Sequence, residues 1–374
     1  MTTKALVLSG GGGRGAYHVG VIEALVEQGW IEDGKGPDII AGTSIGAINA
    51  AALAAGLTVA QLKRLWLKMH TEDVHCLSPD LPPVVRPVLN FLLGTVLTSQ
   101  AHHGTSTIEL SPEERTMSTG SFLARMGSLF RGREFRSLLD TTPWRHTLSK
   151  AINFDQINRP AAPALLLTAT EVRSGALRIF CNQPLHDQPA DTITIDHLMA
   201  SSSIPAVYPW TQIDADIFWD GALLANTPLG PVIDLAGDDD VDIKVVIMTP
   251  WRTTHDLRTL DHWTPHNLVE SLSMTLDWTL LGSYRRDMKL LQAYNELLEA
   301  AERLDRAAAT TGDESLRLPR RAQRPVRLPT IIAPEAPMPI TWIIDYEEEN
   351  HRTLFEWGRR DALRALREEN RASR

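Results

Sequence analysis

The run Pro37-Asp38-Ile39-Ile40-Ala41-Gly42-Thr43-Ser44-Ile45-Gly46-Ala47-Ile48-Asn49-Ala50-Ala51 joins a short apolar strand to an alanine-rich helix through Gly-x-Ser-x-Gly. A chain that makes this transition must turn sharply at Ser44, and Gly42 and Gly46 stand where a Cβ would clash. The turn presents the serine hydroxyl. The start of the following helix adds backbone N–H groups and the positive end of a dipole. Ser44 is therefore a candidate nucleophile. The five-residue pattern is common by itself, and the flanking strand and helix give it meaning.

One strand–helix–strand unit earlier, Ala5-Leu6-Val7-Leu8 reads as a strand that ends in Ser9-Gly10-Gly11-Gly12-Gly13-Arg14-Gly15. A helical pattern follows, with Val19, Ile22, Leu25 and Val26 on one face and Gly29 as its stop. Successive glycines let several backbone N–H groups point at one spot, which suits a phosphate or the oxyanion of acyl transfer. A phosphate-binding P-loop would need Lys-Ser/Thr after the glycines, and none is present. Gly10, Gly12 and Gly15 can be read as a dinucleotide fingerprint. However, Asp38 falls at the start of the next strand rather than at its end, where a ribose-binding acid belongs. The nucleotide reading is therefore set aside.

A third run, Phe218-Trp219-Asp220-Gly221-Ala222-Leu223-Leu224-Ala225-Asn226-Thr227-Pro228, places an aspartate before Gly-Ala at the end of an apolar segment. Alone, Asp-Gly is a turn signal. Upstream lies Met199-Ala200-Ser201-Ser202-Ser203-Ile204-Pro205-Ala206-Val207-Tyr208-Pro209, a small-residue run with a proline-fixed bend.

Together these runs resemble the patatin-like phospholipases. That family carries Gly-Gly-Gly-x-Arg/Lys-Gly (here Gly10 to Gly15), Gly-x-Ser-x-Gly (Gly42 to Gly46), Asp-Gly-Gly/Ala (Asp220 to Ala222) and a run similar to Ala200 to Pro209. The resemblance covers roughly residues 3–70 and 160–250, with a weaker echo near the C-terminus. It implies an α/β fold, a three-layer α/β/α sandwich on a largely parallel sheet. It also implies a Ser–Asp dyad without histidine, in which Ser44 is the nucleophile and Asp220 the base. The N–H groups of Gly10, Gly11, Gly12 and Gly13, with that of Ile45, would form the oxyanion hole. Arg14, Gly15, Gly42, Gly46 and Gly221 would support it. No cofactor or metal is implied. An unperturbed aspartate is a weak base, with a pKa of about 3.9. It can serve if it is hydrogen-bonded to the hydroxyl and poorly solvated.

Composition narrows the partners. With 374 residues, 43% of them hydrophobic and 22% charged, the chain has ample material for a core. A net charge of −9 argues against nucleic-acid binding and against broad docking on anionic lipid. The family resemblance implies a lipid or acyl-ester substrate, with transient contact at a membrane surface. The two cysteines, Cys76 and Cys181, read as free thiols. His70, His75, His102 and His103 lack ligand spacing with paired acids, so no metal site is expected. The start, Met1-Thr2-Thr3-Lys4, runs straight into a strand. No apolar run reaches the ~18 residues of a spanning helix. The expectation is a cytoplasmic protein, peripheral to a membrane surface, or one exported by a route that needs no cleaved signal.

The coarse order is alternating strand and helix. An amphipathic helix is expected over Val59 to His70, strands at Ala164–Thr170, Leu177–Cys181 and Ile243–Met248, and one or two long helices over 266–310. Residues 1–310 read as the catalytic domain, with 71–150 as an inserted, cap-like segment. Its apolar stretch Val88 to Leu97 is too short to span a bilayer, and Arg131, Arg133 and Arg136 form a small basic cluster. An Arg/Pro-rich linker opens 311–374, with Arg317, Arg320, Arg321, Arg324 and Arg327. A last strand at Ile340–Asp345 and a helix from Asn350 to Arg367 are expected to pack on the same domain. Three function classes compete: a lipid acyl hydrolase, an acyltransferase using the same acyl-enzyme, and a histidine-dependent α/β-hydrolase. In the last class the nucleophile follows several strands, and Ser44 follows only the second.

Overall fold

The computed structural model describes residues 2–81, 136–185, 188–237, 240–251, 264–265, 268–312, 315 and 325–372. Its centre is an eight-stranded sheet. Five strands run parallel: β1 (Thr3–Leu8), β2 (Ile39–Thr43), β5 (Ala164–Glu171), β9 (Val241–Val246) and β10 (Thr330–Ile332). Three antiparallel strands extend it: β6 (Leu177–Cys181), β7 (Thr211–Ile213) and β8 (Asp216–Asp220). The order is β10-β9-β1-β2-β5-β8-β7, with β6 on β5.

The central parallel strands are buried along most of their length, as strands covered on both faces must be. Alternation sorts their side chains into two cores. Leu6, Leu8 and Ile40 face a layer built from α1 (Ala16–Glu27), α2 (Ile45–Ala54), α3 (Val59–Leu67), α5 (Thr142–Ala151) and the closing helix α10 (Glu348–Ala372). Ala5, Val7, Ile39 and Ala41 face α8 (Leu229–Ala236) and the long α9 (Leu268–Thr311). The short helices α4 (Thr71–Val74), α6 (Phe154–Ile157) and α7 (Ile195–Ser201) complete the set. This is the expected three-layer α/β/α arrangement.

Several expectations shift. Of the one or two long helices expected over 266–310, the described residues form one, α9. The strand expected at Ile243–Met248 lies two residues earlier, as β9. Ile340–Ile343 is a 3₁₀ turn rather than a strand, and the strand that joins the sheet edge is Thr330–Ile332, parallel to β9. Pro337 and Pro339 explain the difference, because neither can donate to a ladder. The turn instead buries Trp342 against Trp357 of α10. Both described ends of the 71–150 segment belong to the main body. β3 (Cys76–Leu77) pairs with β4 (Leu139–Asp140), and Val74, Trp144 and Leu148 lie in the larger core. The cap-like stretch, including Val88 to Leu97, His102, His103, Arg131 and Arg133, lies outside the described residues, as do Arg317, Arg320, Arg321 and Arg324. Arg136 stacks on Trp210, and Arg327 pairs with Glu369 at 3.0 Å. Cys76 and Cys181 are both free.

Candidate active site

Ser44 and Asp220 are brought together by strand pairing. β2 ends at Thr43, opposite Thr168 of β5. Along the same edge of β5 the next position, Ala169, is taken by Asp220, the last residue of β8. That edge assignment follows because β6 occupies the other side of Ala169 and Thr170. Where β2 leaves the sheet for α2, an antiparallel strand arrives and stops. The residue that begins the exit and the residue that ends the arrival therefore face each other.

Each is held tightly. Ser44 has φ +56° and ψ −125°, a conformation that a residue with a Cβ rarely adopts and that costs about 1–3 kcal/mol. The surroundings enforce it. A Cβ on Gly42 would sit 2.4 Å from the Gly46 backbone, and one on Gly46 would sit 2.2 Å from the Leu8 carbonyl. The Ser44 N–H donates to Ser201 Oγ at 3.0 Å. The Thr43 hydroxyl pairs with that of Thr168 at 2.6 Å and donates to the Ala225 carbonyl at 2.8 Å. Asp220 donates its N–H to the Ser203 carbonyl at 2.8 Å, and its carbonyl accepts from Thr170 Oγ1 at 3.0 Å. Gly221 behind it approaches Thr168 so closely that a Cβ would lie 2.3 Å from Oγ1.

Ser44 is 4% exposed and Asp220 3%. Burial dominates the electrostatics and pushes the Asp220 pKa up from 3.8 to about 7. Two hydrogen bonds oppose that rise, one from the Ser44 side chain and one from the Ala222 N–H, which reaches Oδ1 at 2.8 Å. Burial thus makes the carboxyl beside Ser44 a far stronger base than an exposed aspartate.

The glycine loop turns through a 3₁₀ segment, Gly12–Gly15, into α1. The N–H groups that open such a turn have no acceptor within it. Gly12 has φ +59°, and a Cβ there would lie 2.0 Å from the Ile343 carbonyl. Gly10 departs from expectation: its N–H donates to Asn226 Oδ1 at 2.9 Å and is not available to an oxyanion. Gly11, Gly12, Gly13 and Ile45 remain as donor candidates. Arg14 is fully engaged below the loop. Its Nη1 meets Asp277 Oδ1 of α9 at 2.7 Å, Nη2 meets the Met338 carbonyl at 2.9 Å, and Nε meets the Pro339 carbonyl at 3.2 Å. It therefore acts as a tether rather than an anion ligand. Gly15 packs against Ile45 and Trp66.

Ser201 and Asn226 are the residues that sequence reasoning did not single out. Both lie inside runs already noted. Their roles depend on contacts across 157 and 216 residues of sequence, which no local pattern encodes. Asp38, the rejected ribose-binding acid, accepts from the Lys4 N–H at 2.8 Å and ties β2 to β1. Among the described residues no histidine hydrogen-bonds Ser44 or Asp220. His18 meets Asn49, His75 meets Tyr208, His197 meets Thr194, and His351 meets the Trp66 carbonyl. Burial pushes His18 down to about 3 and His351 down to about 4. No cluster of metal-binding side chains occurs among the described residues. None of their helices is long and apolar enough to cross a membrane.

A doubly covered, mostly parallel sheet with a serine at a strand-to-helix elbow beside a buried aspartate defines an α/β protein with a hydrolase-like site. The family model for patatin-like phospholipases matches residues 6–233, and the chain belongs to that family. Among curated relatives, it is 37% identical over 95 residues to rat patatin-like phospholipase domain-containing protein 7, covering 25% of this chain and 7% of that one. It is 36% identical over 103 residues to human patatin-like phospholipase domain-containing protein 6, covering 27% and 7%. It is 44% identical over 97 residues to the triacylglycerol lipase ptl3 of Schizosaccharomyces pombe, covering 25% and 19%. The aligned stretches are thus a small part of these relatives' lengths. Among solved structures, VipD from Legionella pneumophila overlaps with TM-score 0.40 at 15% identity, covering 98% of this chain and 67% of that one. The type III effector ExoU overlaps with TM-score 0.38 at 16% identity, covering 98% and 53%. The fold assignment rests on the strand order above rather than on these overlaps.

Proposed function

We propose that the protein is a lipid acyl hydrolase of phospholipase A or lysophospholipase type, acting through a Ser44 acyl-enzyme with Asp220 as the base. The observation that carries this reading is the meeting of a strained, buried Ser44 with a carboxylate whose pKa burial has raised to about 7. Asp220 takes the Ser44 proton as Oγ attacks the ester carbonyl. The carbonyl oxygen becomes an oxyanion held by N–H groups of Gly11, Gly12, Gly13 and Ile45. Each such donor is worth about 3 kcal/mol in other hydrolases. Collapse breaks the ester bond, and protonated Asp220 returns its proton to the leaving alkoxide. Water then attacks the acyl-enzyme as Asp220 takes its proton, and the second intermediate collapses by breaking the acyl–Oγ bond, with Asp220 passing the proton to Ser44 Oγ and the free acid leaving.

The family's name and the lipase among the relatives support a lipid ester as substrate. Transfer of the acyl group to an acceptor other than water would use the same intermediate. A histidine-dependent triad is not favoured, since no described histidine meets the dyad. The test combines two measurements on wild type and Ser44→Ala. One is release of free fatty acid across a panel of phospholipids and neutral esters. The other is covalent capture by a fluorophosphonate with the adduct located by mass spectrometry. We expect hydrolysis and labelling to vanish in the variant. An adduct on another serine, or activity within tenfold of wild type, rules the assignment out.

A further inference from the structure

The long helix α9 buries one face and leaves apolar side chains exposed on another, Leu290 and Leu297 above all. Leu281, Tyr284, Met288 and Leu291 pack into the second core, and Leu298, Ala301 and Ala308 continue the buried face. At 100° per residue, a stripe of Leu290, Ala293, Leu297, Ala300, Leu304 and Ala307 lies roughly 170° around the helix from the Leu281–Leu291 face, narrowing to about 50° beside Ala308. Leu290 is 69% exposed and Leu297 58%. Ala293 and Ala300 are also exposed, and Leu304 and Ala307 are half-buried. The stripe repeats Leu-x-x-Ala every seven residues, the spacing of a coiled-coil seam.

The charges beside the seam select its partner. Glu296 and Arg303 occupy equivalent positions one heptad apart on the same side of the stripe. When a second α9 is laid antiparallel, with the twofold axis between residues 298 and 299, Leu290 falls opposite Ala307, Ala293 opposite Leu304, and Leu297 opposite Ala300. Glu296 of each copy then flanks Arg303 of the other, twice by symmetry. Shifting the register by one heptad's sum places Glu296 against Glu296 and Lys289 against Arg303. A parallel pairing matches like with like across the seam and offers neither residue an opposite charge. In the single chain Arg303 Nη2 is 3.6 Å from Glu299, an exposed pair of little worth that does not hold it in place.

We propose that α9 is a self-association surface, pairing antiparallel with α9 of a second copy through the Leu/Ala seam and reciprocal Glu296–Arg303 contacts. The occupant is a second copy because the stripe is self-complementary in both shape class and charge, as an isologous interface requires.

The test is sedimentation velocity of the full chain at micromolar concentration, with circular dichroism to confirm folding. Wild type should sediment at twice the chain mass. Leu297→Glu should be monomeric, and its exposed position makes a folding defect unexpected. Glu296→Arg and Arg303→Glu should each weaken the dimer by about tenfold or more, the scale of an opposed charge pair at an interface. The double swap Glu296→Arg/Arg303→Glu should restore it. A monomeric wild type, a dimer indifferent to Leu297→Glu, or a double swap that stays as weak as the single variants would each overturn the proposal.

Discussion

Replacing Asp220 with Asn should destroy turnover and at the same time stabilise the protein, by an amount that depends on pH. The reasoning starts from burial. In the folded chain the carboxyl ionises near 7, whereas in the unfolded chain it ionises near its ordinary 3.8. Between those values the folded state still holds a proton that the unfolded state has lost. Stability therefore falls as pH rises through this window, by about 1.4 kcal/mol per pH unit. Across the whole window that amounts to about 4 kcal/mol by the same arithmetic. The sign is opposite to that of a salt-bridged carboxylate, whose lowered pKa stabilises at neutral pH. An asparagine keeps the shape and retains an oxygen for the Ala222 N–H, but it never ionises. The difference in unfolding free energy between Asp220→Asn and wild type should be small near pH 4, grow through pH 5 and 6, and level off above 7. Urea unfolding followed by tryptophan fluorescence across this range reads it directly, because other titrating groups cancel in the difference. The catalytic arm uses the same pKa. Acylation of wild-type Ser44 by a soluble ester or fluorophosphonate should rise about tenfold per pH unit below 7 and flatten above it. A stability difference that does not change with pH, or a wild type more stable than the variant at pH 8, would refute the account of Asp220 as a carboxylate held in a desolvated site.

Two further substitutions test the scaffold. Gly12→Ala should fail by misfolding rather than by a clean loss of kcat, since its Cβ would lie 2.0 Å from the Ile343 carbonyl at φ +59°. A thermal melt should show a fall of several degrees or no cooperative transition, and a well-folded variant with normal stability would contradict the packing described. Arg14→Met strands the buried Asp277 carboxylate and should cost about 3–5 kcal/mol, while Arg14→Met/Asp277→Leu should recover a large part of it. Denaturation midpoints of the two variants decide this, and equal losses would show that the pair itself, rather than the orphaned charge, carries the stability.

The sequence by itself determined many of the central elements of this protein and most of the candidate site residues, because those signals are local. The elbow at Ser44 is written in Gly42, Gly46 and the apolar and alanine-rich runs on either side. The hairpin of β5 and β6 is written in two apolar runs around Arg173-Ser174-Gly175, where Gly175 indeed takes φ +67°. The order of ordered motifs was enough to indicate the family and the layered α/β plan. Tertiary structure decided what those residues meet. Only the pairing of β8 beyond the end of β2 sets Asp220 beside Ser44. Only long-range contacts give the Gly10 N–H to Asn226 and the Ser44 N–H to Ser201, taking one expected donor out of the proposed oxyanion hole. The Asp220 pKa also belongs to this level, since desolvation depends on everything packed around a carboxyl and not on its neighbours in sequence. The Ile340–Ile343 segment fails as a strand for a related reason. Its apolar residues satisfy a strand pattern, but the sheet edge is already taken by Thr330–Ile332, and the flanking prolines leave the segment to turn and pack its carbonyls against the glycine loop.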